Sequence, residues 1–324
     1  MTIVGFHASH EQIPPSALLI AVQRAEQVGF DAAMCSDHFA PWTNAQGESG
    51  FAWTWLGAAM ATTSLPFGIV TAPGQRYHPA ITAQAIGTIA EMFPGRFFPS
   101  LGSGEAMNEH ITGDRWPTKD ERNARLRESA DVIRSLLAGE EVTHAGRVTV
   151  ERARLHTRPA EPPPLAVAAV SPETAGWAAE WADGLITVAQ KPDALRAVVG
   201  AYRDAGGRGP ISLQVHVSYA ATDAEALAIA NDQWRSGLVG PPEAWDFDTP
   251  EDFAAATADA PDDAIRDAVL VETDPSRLTD RIRELVDIGF DKVFVHHVGK
   301  TQEAFLDMAG ARLVPELRGT VSRS

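Results

Sequence analysis

Short runs rich in Val, Ile, Phe and Ala alternate with longer stretches of helical period along almost the whole chain. That is the pattern of repeated β-α units around a parallel sheet. Eight runs stand out, at Thr2–Phe6, Asp31–Ser36, Phe67–Thr71, Arg96–Leu101, Leu165–Ala169, Gly184–Val188, Ile211–Val217 and Lys292–His296. They are apolar nearly throughout rather than alternating, as strands covered on both faces must be. Of the stretches between them, Pro14–Val28 opens on two prolines and Pro79–Phe93 ends against Pro94–Gly95, which are fitting helix limits. Eight strands separated by helices predict a closed (β/α)8 TIM barrel of the α/β class rather than an open sheet.

Two segments break the rhythm. Residues Gly139–Arg154 read as a small β excursion turning at Gly146, and the proline-rich PAEPPP at 159–164 leads on to the fifth strand. Residues 240–267 are proline-rich and acidic, and long for a connection that covers nothing. A partly helical lid and a solvated insertion are both open readings of them. With insertions at about 139–164 and 240–267, residues 1–324 read as one barrel domain, without internal repeat or flexible linker.

Composition narrows the function classes. The 324 residues are 44% hydrophobic, ample for a large core, and carry a formal net charge of −16. So acidic a chain lacks the dense cationic face needed for nucleic acid or an anionic membrane. No stretch approaches the roughly 18 to 20 apolar residues of a membrane span. The start, MTIVGFHASHEQ, has no basic region followed by an apolar run, so a cytoplasmic location is expected. The one cysteine, Cys35, lies in the apolar run DAAMCS and reads as a small buried thiol in a reducing compartment.

In such barrels, the loops leaving the carboxyl ends of the strands build the active site, and here they are rich in titratable groups. The first strand leads to His7 and His10, the second to Ser36-Asp37-His38-Phe39, the third to Gln75, Arg76 and His78, and the fourth to Gly102-Ser103-Gly104-Glu105. In SDHFAPW, His38 beside Asp37 is able to act as acid or base near neutral pH, or to be a strand-end histidine bonded to backbone, with Trp42 in the core. In GSGEAMNEH, glycines permit close backbone approach near Glu105, which also reads as an ordinary helix-start acid. Ser171 and Pro172 open a helix after the fifth strand, either as a plain cap or as a phosphate-binding amino terminus. No GxGxxG follows the first strand, which argues against a Rossmann nicotinamide enzyme. His7-Ala8-Ser9-His10 lacks metal-binding spacing and a companion carboxylate cluster, so no metal site is expected. His296 and His297 point to opposite sides of a strand, so one of them faces the site.

Taken in order, SDHFAPW, FAWTWLGAA, RYHPAITAQA, GSGEAMNEH and SPETAG with WADG resemble the luciferase-like superfamily of flavin and deazaflavin oxidoreductases, from the first strand to the closing AFLDMAGARLVPELR. Within it, the chain is most similar to the F420-dependent glucose-6-phosphate dehydrogenase group. GFHASHEQ and GQRYHPA are shared with related bacterial proteins of unsettled cofactor. The resemblance implies hydride transfer between coenzyme F420 and an alcohol or carbonyl of a sugar or other small molecule. By it, His38 is the base, Trp42 its neighbour and Glu105 the acid serving the cofactor. Asp37, Val70, Thr71, Ser103, Asn108, Ala169, Val170 and Ser171 would line the cofactor, and His7, Gln75, Lys191 and His297 the substrate. It also implies a homodimer and a non-prolyl cis peptide in the third strand, around Ile69–Thr71.

Departures from the group keep alternatives open. Ala72 stands where the group has threonine, and Val170-Ser171-Pro172 where it has Gly-Gly-Pro. Lys191 matches a phosphate-binding lysine of the group, but Asp267 stands near the position of another, where it would repel a phosphate. The altered contacts leave FMN, with a reductase or monooxygenase activity, as the alternative cofactor reading. A non-catalytic flavin-binding barrel and a metal-dependent hydrolase complete the competing classes.

Overall fold

The computed structural model describes residues 2–318. Its strands, in chain order, are β1 (Ile3–Ala8), β2 (Ala32–Ser36), β3 (Phe67–Thr71), β4 (Phe97–Leu101), β5 (Val142–Ala145), β6 (Thr149–Ala153), β7 (Ala166–Ala168), β8 (Gly184–Val188), β9 (Ile211–Tyr219), β10 (Leu270–Glu272) and β11 (Lys292–His297). Parallel pairing runs β9-β11-β1-β2-β3-β4-β7-β8, and β8 pairs back onto β9. Eight strands therefore close a TIM barrel, as the apolar pattern predicts. The β5–β6 hairpin is antiparallel and separate, which matches the β excursion read at Gly139–Arg154.

The element β10 goes beyond the eight predicted runs. β9 pairs with β8 through Ile211–Gln214 and with β10 through Val217–Tyr219. The barrel wall thus parts between β8 and β9 at its carboxyl end, where β10 takes the place beside β9. The segment 240–267 ahead of β10 is partly helical, with a helix at Pro250–Thr257 and 3-10 helices at Glu243–Trp245 and Asp262–Asp267.

Sequence signals set the element limits. Thr118 and Glu121 form a reciprocal capping box for the helix Lys119–Ala138, which ends at Gly139 with φ 96°. The helix Pro79–Met92 begins on proline, and His78 caps it. Val4, Phe6, Ile69, Leu101, Val215 and Val295 face the surrounding helices, where Leu18, Leu56, Ile86, Ile133 and Leu278 are buried with them.

Inside the barrel, the strand period of two separates an apolar floor from a polar layer. Ala32, Met34, Ile186 and Phe294 fill the floor. Gly5 belongs there too, since a Cβ at that position would stand 2.2 Å from the Phe294 ring. Two residues further along β1 and β11 come His7 and His296, both buried, with rings 4.7 Å apart.

The peptide bonds of Ile69–Thr71 are not cis, contrary to expectation; the cis bond found among the described residues is Pro241–Pro242. The reason is visible in the ladder. β3 keeps regular parallel register on β4 through Thr71, and Asp37 N and Gly102 N donate to Val70 O and Thr71 O. No helix among the described residues is long and apolar enough to cross a membrane.

Candidate active site

The site begins with register. β1 and β2 pair in parallel with Ala8 opposite Cys35, so positions three residues past each, Glu11 and His38, leave the barrel side by side. Glu11 Oε1 stands 2.7 Å from His38 Nδ1, and Glu105 Oε2 stands 3.6 Å from His38 Nε2. The imidazole is thereby held between two carboxyls that follow β1 and β4, with 13% of its side chain still exposed.

The electrostatics follow from that placement. Burial works against a charged imidazole, but Glu11 and then Glu105 outweigh it, and His38 is pushed up to about 9. Glu11 is buried too, yet the attraction of His38 and hydrogen bonds from His38 and Ser9 hold it well below the usual carboxylate range. Ser9 Oγ donates to Glu11 Oε2 at 2.6 Å. Burial pushes Glu105 up, only partly offset by His38 and by Asn108 Nδ2, which donates to it at 2.9 Å. Glu11 is therefore the firmly held anion and Glu105 the more readily protonated of the two carboxyls.

Asn108 ties the second and fourth strand ends together, since its Oδ1 accepts from the Phe39 and Ala40 amides at 2.7 and 3.3 Å. Trp42 crosses the His38 ring edge-on at 5.0 Å and meets Phe253 at 5.5 Å. The segment 240–267 thus packs on the aromatic neighbour of the central histidine.

Asp37 lies below this group and is buried. Thr71 Oγ1 and Tyr77 Oη donate to its carboxylate at 2.9 and 3.2 Å, and Arg76 pairs with it at 3.5 Å and with Glu109 at 3.6 Å. Asp37 and Thr71 are accordingly spent on one another, and both are turned into the protein. Val70, Ser103 and Val170 are half-buried at the ends of β3, β4 and β7, while Ala169 is buried. Ser171 is a cap, its Oγ accepting from Thr174 N at 3.3 Å. Gln75 accepts from Arg125 at 2.7 Å.

The remaining expected substrate contacts divide. His7 faces the barrel interior, and burial lowers it to about 4, so it is a neutral imidazole. His297 does not face the site. It stacks on Phe305 with ring centroids 5.0 Å apart, on the helix side of β11, and strand alternation turns His296 inward instead. His296 meets His7 and also His216, 5.2 Å away, while Gln12 contacts its Nε2 at 2.6 Å. Lys191 is exposed at the end of β8 and pairs with Asp267 at 3.8 Å.

Glu11 and His216 were not anticipated. For Glu11 a signal exists in the sequence, a carboxylate just past the first strand, next to a second strand that ends in histidine. Its use required knowing that the two strands pair with Ala8 opposite Cys35. No group of His, Cys, Asp and Glu suited to a metal ion is found among the described residues.

A model of the family described as luciferase-like monooxygenase matches residues 2–292. The F420-dependent glucose-6-phosphate dehydrogenase of Intrasporangium calvum is 35% identical to this chain, over 98% of it and 100% of the relative. The F420-dependent hydroxymycolic acid dehydrogenase of Mycobacterium tuberculosis is also 35% identical, over 97% of this chain and 88% of its own. A solved F420-dependent secondary alcohol dehydrogenase in complex with an F420-acetone adduct matches with a TM-score of 0.90 at 29% identity, covering 98% of this chain and 99% of that one.

Proposed function

From the premise that the chain belongs to the luciferase-like monooxygenase family, we propose that it is an F420-dependent oxidoreductase interconverting an alcohol and a carbonyl. The observation that carries the reading is the His38 imidazole held between Glu11 and Glu105 at the barrel mouth. Relatives and a structural neighbour with F420 in their names support that cofactor over FMN.

The residues present fit such a group. Val70, Gly102, Ser103, Ala168 and Val170 are small and half-buried at the ends of β3, β4 and β7. A Cβ at Gly102 would stand in ordinary contact, 3.9 Å from Ala168 Cβ and Thr71 O, so Gly102 keeps the surface low where three strand ends meet. Glu105 and Asn108 border that surface with a carboxyl and an amide. When bound there, F420 supplies a two-electron hydride acceptor or donor.

His38 Nε2 takes the proton of the substrate hydroxyl in oxidation and returns it in reduction. Glu11 stabilises the resulting imidazolium and fixes the ring through Nδ1. Glu105, whose carboxyl is pushed up by burial, would serve as proton partner to the bound cofactor. Trp42 covers the edge of the imidazole, and Phe253 backs it. A homodimer fits the exposed apolar residues Phe51, Ile81 and Met92 on and beside the helices Ala52–Thr62 and Pro79–Met92.

His38→Ala tests the scheme. Turnover is expected to fall by about a hundredfold or more while F420 still binds, as read by fluorescence titration. Turnover near that of the unaltered protein removes His38 from the mechanism. Parallel titration with FMN decides the cofactor, and tight binding of FMN alone overturns the choice of F420.

A further inference from the structure

We propose that this site takes an uncharged secondary alcohol or ketone carrying an apolar arm, and discriminates against phosphorylated sugars. The proposal rests on the oxidoreductase reading above and adds the class of substrate.

Two sets of contacts point to it. The first is an aromatic wall that starts at the reacting histidine. Trp42 meets His38 at 5.0 Å and Phe253 at 5.5 Å, and Phe247 meets Phe253 at 5.0 Å. Val239 and Trp245 pack into the same apolar cluster. Trp42, Val239, Trp245 and Phe247 all keep part of their surface uncovered. Partly open aromatic surface beside a polar reacting centre suits a ligand with one hydroxyl or carbonyl and a hydrocarbon arm.

The second is the charge around the mouth. A phosphate monoester is recognised by convergent, unpaired cations or by charge-assisted hydrogen bonds. Here His38 is flanked by carboxyls on both sides, and the nearby buried cation Arg76 is engaged by Asp37 and Glu109. Where the barrel wall parts between β8 and β9, Lys191 is paired with Asp267. In the covering segment, Arg266 is held by Asp223 and Asp263, and Arg235, just ahead of that segment, by Asp262. Lys300 is exposed beside Gly47, and the half-buried Arg125 is engaged by the Gln75 amide oxygen. The Lys191–Asp267 pair is itself too exposed to stabilise much. Its effect is on recognition, because the Lys191 ammonium is not left as a free cation at that opening.

The chain's most similar sequences include glucose-6-phosphate dehydrogenases, so the proposal separates this chain from them on its own residues. The experiment compares 4-phenyl-2-butanol, 2-propanol and glucose 6-phosphate, both as reductants of F420 in the intact protein and as ligands by calorimetric titration. The phenyl alcohol is expected to bind and react at least about tenfold better than 2-propanol, the gain typical of an apolar group in a fitted pocket. Glucose 6-phosphate is expected to be the poorest of the three.

Asp267→Lys is expected to improve kcat/KM for glucose 6-phosphate about tenfold by adding two units of positive charge near the dianion, leaving the phenyl alcohol unchanged. Phe247→Ala is expected to raise KM for the phenyl alcohol and not for 2-propanol. Preference of the unaltered protein for glucose 6-phosphate, in binding or in turnover, overturns the proposal. So does equal binding of the two alcohols. Failure of all three to reduce F420 counts against the oxidoreductase reading, and the calorimetric order of affinities then still decides the substrate class.

Discussion

Replacing Glu11 with Gln keeps the size of the side chain and removes its charge, 2.7 Å from His38 Nδ1. A unit charge about 3 Å away is worth about 1.4 kcal/mol in water and about 5.5 kcal/mol at an effective dielectric of about 20. At about 1.4 kcal/mol per pKa unit, that is a fall of roughly one to four units for His38, from about 9. Burial, now less opposed, drives the imidazole the same way. The consequence is read from the pH dependence of kcat/KM in both directions. With His38 at about 9, alcohol oxidation needs the neutral ring and climbs tenfold per pH unit up to that value, while carbonyl reduction needs the protonated ring and declines above it. In Glu11→Gln both limbs are expected to move to lower pH by about two units, the middle of the calculated range. The plateau for oxidation should also drop about tenfold or more, because a weaker and less firmly oriented base is left. The assay is cofactor reduction or oxidation followed by absorbance from pH 5 to pH 10. Limbs that stay near pH 9 with an undiminished plateau would refute the assignment of Glu11 as the partner of His38.

Asp37→Ala should cost about 1 to 3 kcal/mol, because the Thr71 and Tyr77 hydroxyls lose their acceptor while Arg76 keeps Glu109 and the residue-37 backbone carbonyl. Urea unfolding measures it, and a loss below about 1 kcal/mol would show that Asp37 is not structural. Acid stability is set by the buried imidazoles, His7, His10 and His297 lowered to about 4 and His216 to about 3, each by burial first. The unfolded chain binds more protons than the folded one between those values and the ordinary 6.5, so stability is present above about pH 6.5 and falls on acidification toward pH 4, by about 1.4 kcal/mol per pH unit for each group. His38 acts with the opposite sign. Its folded value of about 9 gives stability that is complete below 6.5 and lost as the pH rises through 9. Maximal resistance to urea is therefore expected near pH 7 to 8, and a maximum near pH 5 would contradict the neutral imidazoles of the barrel interior.

The sequence by itself determined the eight strands, because an apolar run covered on both faces is a local property and turn residues mark where it stops. It also determined the helix limits, through Pro79, Thr118 and Gly139, and the presence of titratable groups just past the strands, including His38 and Glu105. What it could not supply was which strand-end residues meet. Glu11 joins the site because β1 and β2 pair with Ala8 opposite Cys35, and register between strands is a long-range fact that neither strand records alone. The same alternation left His296 and His297 equivalent on paper, and only closure of the barrel and the position of Phe305 turned one inward and the other out. β10 escaped notice because a three-residue strand has no period of its own and exists through its pairing with β9. Charge behaved likewise. The sequence gives a sum of −16, whereas the value of each charge at the site depends on which carboxylate folding placed beside which cation.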